Sequence, residues 1–469
     1  MPVLPCLPRW NSDPIVTPAR TDLNQKHQRA PGTLAPAAPV VQNGKKRKEG
    51  ATSLRVLFTG GRSPATLALL RLFAQAGHHC EVAESLQPNL AGASRYCSAR
   101  HHIAPPRQQT ERFVSELQQI IQAQRIDLLI PTCEESFYVS RYRRELESSG
   151  CQVFCATIDV LTNLHSKYQF NQLIRALGLP APATECISNS QQLEARLTEW
   201  GPFVLKPEFS RFASQVLINQ PLEEVRARVK PSAEQPWVLQ EFLDGPQFCS
   251  YSVALNGRLQ AHGVYPTTYA MGSGATIYFE SIDAPAIERM VTTLVRSLDY
   301  TGQISFDFIF ANQHFYPIEC NPRTTTGTFL FGPNDRLDRA FLSDGPLIRP
   351  RTARPQVLTL PMLLYALPAQ PGKARQLFKD IFRASDPLMQ LDDISPFFAQ
   401  FGLLWQTLRQ ARRQHTSLMV ASTHDIEWNG QWDMRTRFAP DVRSMDTMGD
   451  ADRSRSELPD VRSMDEDED

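Results

Sequence analysis

At 469 residues the chain is too long for one small core and fits two to four domains. With 49 basic and 49 acidic residues its formal net charge is zero, which excludes the strong positive field that recruits nucleic acid or an anionic membrane. A hydrophobic content of 42% and a charged content of 21% are ordinary for a globular protein, and nine cysteines without a CxxC pair read as reduced thiols, not a closed disulfide framework.

Residues 1–52 are rich in Pro, Ala, Gln and Asn and lack hydrophobic periodicity, so they are expected to be a disordered extension. Three prolines within Met1 to Trp10 leave no apolar core for a signal peptide. The cluster Lys45-Lys46-Arg47-Lys48 reads as a solvated charge run, with a localisation or anion-binding patch as the alternative. No stretch reaches the ~20 apolar residues that cross a bilayer. A cytoplasmic protein is expected, with neither membrane nor nucleic acid as partner.

Order is expected from Leu54 onward. Residues 54–59 read as a short strand ending in Gly60-Gly61, followed by an amphipathic helix from Pro64 to Ala76 that stops at Gly77. A strand at 79–83, a helix at 111–123, a strand at 127–130 running into Pro131-Thr132-Cys133-Glu134-Glu135, a further helix and a strand at 151–155 continue the alternation. That alternation predicts a doubly wound parallel α/β layer over residues 53–158. The turn Thr59-Gly60-Gly61-Arg62-Ser63-Pro64 does not match GxGxxG, so a dehydrogenase is a poor fit. Cys151 and Cys155 have no neighbouring His or Cys, which argues against a zinc site.

From residue 159 the pattern turns to mixed α+β. A helix carries Lys167, and Trp200-Gly201-Pro202-Phe203-Val204-Leu205-Lys206-Pro207 places a lysine at the end of an apolar strand. Such a lysine is either a point charge for phosphate oxygens or an exposed strand end, the commoner case. Trp237 to Gly245 is a further apolar strand running into a turn. Its backbone could read an adenine edge between Phe242 and Leu243, although alone it is an ordinary strand and loop.

The densest chemistry lies at 303–323. Gln303 to Phe310 and Phe315 to Pro322 read as two strands of a hairpin, with Asn312 to His314 as the loop. Ala311 then faces Phe315 and Asp307 lies across from Glu319, with Asn321 on the same face. Like charges directly opposed on a sheet destabilise it, so a cation is expected between them unless one carboxyl stays protonated. Two carboxylates and an amide oxygen are hard ligands suited to Mg²⁺, and Arg323 beside them offers a planar fork to phosphate. The bland alternative is a sheet edge whose carboxylates point to solvent after a one-residue slip.

Residues 346–430 are expected to be mostly helical, with a helix near 397–414. The tail, 431–469, is expected to be disordered and acidic; it repeats Pro-Asp-Val-Arg-Ser-Met-Asp at 440–446 and 459–465.

Taken in order, these features over roughly residues 53–345 resemble the ATP-grasp superfamily. The resemblance rests on the Gly60-Gly61 turn, Lys167, Lys206, Gln240-Glu241-Phe242-Leu243 and Asp307 followed by Glu319-Cys320-Asn321-Pro322-Arg323. It implies a pre-ATP-grasp domain (53–158) before a two-lobed ATP-grasp domain (159–345). It also implies ATP with Mg²⁺ or Mn²⁺ as cofactors. ATP would be held by Lys167, Lys206, Ser210, Arg211, Gln240, Glu241, Phe242, Leu243 and Gln247, the metal by Asp307, Glu319 and Asn321, and Arg323 and Lys206 would act in catalysis. Thr324 to Gly327 would line the acceptor pocket, with Gly60, Gly61 and Glu134 on its far wall.

A weaker likeness, through Thr301-Gly302-Gln303-Ile304-Ser305, Ile318 to Thr324 and Leu391-Asp392-Asp393, is to the ligases that attach glycine to a cyclohexenone in mycosporine biosynthesis. The implied reaction joins a small acid to an amine, with oligomeric state open and a homodimer included. Two departures stand out: the segment Pro207 to Ser214 lacks the glycines usual in a phosphate-covering loop, and Gln247 stands where an acidic ribose ligand is expected. Both suit the alternative of an ATP-binding regulatory or scaffold protein without turnover.

Overall fold

A computed structural model describes residues 53–210, 215–271, 275–351 and 354–432. The expected extension at 1–52 with its basic cluster, the tail repeat and Arg211 lie outside the described residues.

The first layer is a five-stranded parallel sheet in the order β3-β2-β1-β4-β5. Its strands are β1 (Arg55–Thr59), β2 (His79–Glu84), β3 (Ala99–His102), β4 (Leu128–Ile130) and β5 (Gln152–Val153). β1 is almost wholly buried, as expected for a central strand covered by helices on both faces. The helix Pro64–Gln75 follows because Ser63 accepts from the Ala65 amide and Pro64 opens the first turn. Its Leu67, Leu69, Leu70 and Phe73 are fully buried, each contributing about 1.5–3 kcal/mol against exposure.

Gly60 is required by close approach. Its φ is +74°, and a Cβ would fall 2.5 Å from Thr132 Oγ1 and 2.9 Å from a carboxyl oxygen of Glu135. That buried Glu135 carboxylate accepts from the Thr59 hydroxyl and from the amides of Thr132 and Cys133, so it ties the first turn to the turn after β4.

Two four-stranded antiparallel sheets follow. One, in the order β6-β9-β7-β8, contains β6 (Thr184–Ile187), β7 (Phe203–Pro207), β8 (Leu217–Ile218) and β9 (Trp237–Glu241). The other begins with β10 (Gln247–Leu255) and β11 (Arg258–Pro266). Short pieces β12 (Ala270–Met271), β13 (Ala275–Thr276) and β14 (Tyr278–Phe279) precede the helix Pro285–Ser297. The hairpin β15 (Gly302–Ala311) and β16 (His314–Asn321) then completes the order β11-β10-β15-β16. Beyond it come mainly helices, among them Ala374–Arg383, Ser395–Gln414 and Leu418–Ala421.

Three details differ from the sequence expectation. β3 was not anticipated, because Ala99-Arg100-His101-His102 has no apolar alternation; it is an edge strand tied by His101 to the buried Glu81 carboxylate at 2.8 Å. The strand expected at 151–155 narrows to Gln152–Val153. The hairpin loop is shorter than expected. Ala311 pairs with His314, leaving Asn312 and Gln313 as a two-residue turn with φ of 47° and 63°.

Candidate active site

β15 and β16 set the floor of the site. Continued to the strand ends, the short turn would put Asp307 opposite Ile318. Instead the register shifts between Asp307 and Phe308: Phe308 pairs with Pro317, Asp307 with Glu319, Phe306 with Cys320 and Ser305 with Asn321. Ile318 is the additional residue of a β-bulge. The bulge restores the Asp307–Glu319 opposition that a longer loop would have produced. Asn321 joins them, its amide donating to Asp307 Oδ2 at 3.4 Å.

The cations arrive from the other sheet and from the helix Lys167–Ala176. Lys206, at the end of β7, is 5% exposed; its Nζ donates to Gln240 Oε1 at 3.0 Å and to the Ile318 carbonyl at 3.1 Å. Lys167, 3% exposed, donates to the Ser210 carbonyl at 2.8 Å and stands 3.7 Å from Glu319 Oε1. Arg323 donates to Asn321 Oδ1 at 3.1 Å and to Glu134 Oε1 at 3.2 Å, linking the hairpin to the turn after β4.

Electrostatics follow from this crowding. Desolvation, and then the neighbouring Glu319, push Asp307 up to about 6. Desolvation pulls Lys206 down to about 8 against the attraction of Glu319. Burial would lower Arg323 too, but Glu134 and its other anionic neighbours hold it above its ordinary value.

A cavity of about 550 Å³ lies between the two antiparallel sheets. Lys206, Gln240, Glu241, Phe242, Leu243, Gln247, Asp307, Glu319, Asn321 and Arg323 all line it, with Glu134, Thr325 and Thr326. Two side chains expected at the nucleotide are engaged locally. Gln240 bridges Lys206 to the Thr184 hydroxyl, and the Glu241 carboxylate accepts from the Ala183 amide.

The donor set fits a magnesium ion. Two carboxylates and a side-chain amide share one face of the sheet, and the burial and mutual repulsion that raise Asp307 are what a bound cation would offset. No group of three His, Cys, Asp or Glu forms a metal cluster among the described residues, so the amide of Asn321 is needed as the third donor.

Sequence reasoning missed the wall opposite the hairpin. Arg62 and Ser63 come from the first turn, Leu403 and Thr407 from the helix Ser395–Gln414, and Ser422 and Ile426 from the segment after it. Arg62 is locked there by Glu84 at 2.5 Å and Asp425 at 2.6 Å. Partners 363 residues apart leave no local signal.

Residues 164–327 match the family model for the ATP-grasp domain. The chain carries an ATP-grasp domain. Solved structures of similar fold include the L-amino acid ligase from Bacillus licheniformis, at 14% identity over 62% of this chain and 75% of that one, with a TM-score of 0.50. The N5-carboxyaminoimidazole synthetase from Staphylococcus aureus complexed with ADP matches at 12% identity over 64% and 80%, with a TM-score of 0.53. The phosphoribosylamine–glycine ligase from Thermotoga maritima matches at 17% over 64% and 78%, with a TM-score of 0.50. At these identities the likeness is one of fold: a parallel N-terminal sheet followed by the two antiparallel sheets of the ATP-grasp domain. Among the described residues no helix is long and apolar enough to cross a membrane.

Proposed function

We propose that the chain is a cytoplasmic ATP-dependent ligase that phosphorylates a carboxylate or a vinylogous acid and couples it to an amine, releasing ADP and phosphate. The observation that carries this reading is the opposition of Asp307 and Glu319 across one hairpin, in the same cavity as Lys206 and Arg323.

ATP lies between the two sheets, with Phe242 and Leu243 against the base and Gln247 toward the ribose. Lys167 and Lys206 face the phosphates, where buried point charges act through a lowered dielectric. Asp307, Glu319 and Asn321 would hold magnesium, which would supply further charge neutralisation around the transferring phosphoryl group. Arg323, pinned by Glu134, presents its fork beside the ligands and offsets charge on the acid being activated. The acid oxygen attacks the γ-phosphorus and ADP leaves. The amine nitrogen then attacks the activated carbon and expels phosphate, forming the C–N bond. Thr325 and Thr326 line the same cavity, close to the ligands in sequence, and offer hydroxyls to the acceptor.

Two of the structures named above, an L-amino acid ligase and a phosphoribosylamine–glycine ligase, favour this class. The glycine-free segment after Lys206 favours the second reading, a nucleotide-binding scaffold. A coupled ADP-release screen across amino acids and small oxyacids, with product mass measured, separates them. Turnover with a condensed product supports the ligase. Tight MgATP binding with no ADP release across the panel overturns it and leaves the scaffold.

A further inference from the structure

The segment 422–430 does more than line the cavity wall. It crosses the turns after β1 and β4, held by Arg62 on Asp425, by Arg107 on Glu427, and by the Tyr138 hydroxyl on the Glu427 carbonyl at 2.9 Å. At its end Trp428, 3% exposed, stacks on Phe137 with centroids 4.8 Å apart and an interplanar angle of 21°. The same cluster takes in Phe209, two residues past the end of β7. Phe209 packs edge-on against Trp428 at 5.4 Å and lies 5.8 Å from the His165 ring. Gly430 has a φ of +91°, and a Cβ there would reach 2.6 Å from the Phe209 ring.

Phe209 sits in the middle of the short run that holds Lys167. The Lys167 amide donates to the Glu208 carbonyl at 3.3 Å, the Ser166 hydroxyl donates to the Glu208 carboxylate, and Lys167 Nζ donates to the Ser210 carbonyl at 2.8 Å. Residues 208–210 carry no glycine, so their path is fixed by contacts and not by backbone freedom. The aromatic contacts on that run come from Trp428 and His165.

We propose that Trp428 is a positioning residue for ATP: it anchors Phe209 and thereby fixes the 208–210 carbonyls that aim Lys167 at the phosphates. This rests on the assignment of Lys167 to ATP made above. The chain's C-terminal part thus completes a nucleotide site built from residues far earlier in the sequence. The glycine-free run 208–210 is thus braced by an aromatic clamp.

The test uses the full chain and Trp428→Ala, with Trp428→Phe as the conservative partner. MgADP and a non-hydrolysable MgATP analogue are titrated by calorimetry, and lysine reactivity toward an acetylating reagent is read by mass spectrometry without nucleotide. Trp428→Ala is expected to weaken the nucleotide about three- to tenfold, the ratio expected for loss of one aromatic pair. It should also raise Lys167 labelling several-fold relative to Lys206, and Trp428→Phe should restore both. A folded Trp428→Ala with unchanged affinity and an unchanged Lys167/Lys206 labelling ratio overturns the proposal. A wild-type chain that binds no nucleotide, yet shows the labelling change in Trp428→Ala, sinks the ATP reading and leaves the clamp standing. Should Trp428→Ala fail to fold, Phe209→Ala breaks the same contact from the other side and is read by the same two measurements.

Discussion

The Nζ of Lys206 donates to the carbonyl of Ile318 at 3.1 Å, and Ile318 is the hairpin residue that the β15–β16 register leaves without a partner. The bulge therefore does two things. It brings Glu319 opposite Asp307, and it turns a strand carbonyl out of the ladder to hold a buried cation. Deleting Ile318 is expected to leave a regular ladder in which Glu319, now next to Pro317, still faces Asp307, so what is lost is the carbonyl that holds Lys206. ADP release should fall roughly tenfold, the ratio for loss of one hydrogen bond to a charged group, while circular dichroism stays close to wild type. A deletion that keeps its full activity would show that the Ile318 carbonyl does not position Lys206 for the reaction.

The hairpin also shows how far the sequence can be read. Asp307 opposite Glu319 was legible, but by a route in which two departures cancel: the turn is one residue shorter than expected and the bulge adds one back. Local chemistry explains the first, since Asn312 and Gln313 adopt left-handed φ that Asn, at least, tolerates well. Nothing in Pro317-Ile318-Glu319 announces the second. The parallel layer was visible because its central strands are apolar runs between helices. β3 was hidden because its stabilisation comes from the His101–Glu81 pair and from backbone pairing, not from an apolar face. The wall formed by Arg62 and residues 422–430 was hidden for another reason: its contacts join segments whose sequences carry no reference to each other.

Glu319→Gln keeps the volume of the side chain and removes a ligand charge. Glu319 is also the carboxylate near Lys167 and the largest favourable charge on Lys206. Turnover is expected to drop at least a hundredfold, by about 3 kcal/mol or more of transition-state stabilisation. The melting temperature should stay within a few degrees of wild type. ADP release at a series of magnesium concentrations is the measurement. Wild-type turnover with ordinary magnesium dependence would remove Glu319 from the metal site.

Glu134→Gln tests the link between the first sheet and the hairpin. Glu134 is 3% exposed and accepts from Arg323 Nε, so the neutral amide leaves Arg323 less firmly pinned beside Asn321. The charge of Arg323 remains, and MgATP affinity should change by less than about threefold. The acid-activating step needs Arg323 in place, and kcat should fall about tenfold. Nucleotide affinity by calorimetry and turnover by ADP release are compared on one preparation. An equal loss in both would mean that Glu134 supports the whole cleft and not the orientation of Arg323.

Asp338 couples the first sheet to the segment after the hairpin in a pH-dependent way. Burial alone would raise this carboxyl, but hydrogen bonds from Arg336, at 2.9 and 2.8 Å, and from His78 hold it at about 2. A carboxyl whose folded value lies below its unfolded one stabilises the fold above the unfolded value, about 4, and loses that contribution as pH falls through about 2. Because Arg336 is 38% exposed, solvent screening reduces the contribution to about 1–2 kcal/mol. Asp338→Asn should therefore lower stability by about that amount at pH 6. The gap between variant and wild type should narrow from pH 4 downward, as protonation takes the same interaction from the wild type. Urea unfolding at pH 6, 4 and 3 measures it, and a gap that is constant across this range would mean the carboxylate charge contributes nothing and only the side chain's shape matters.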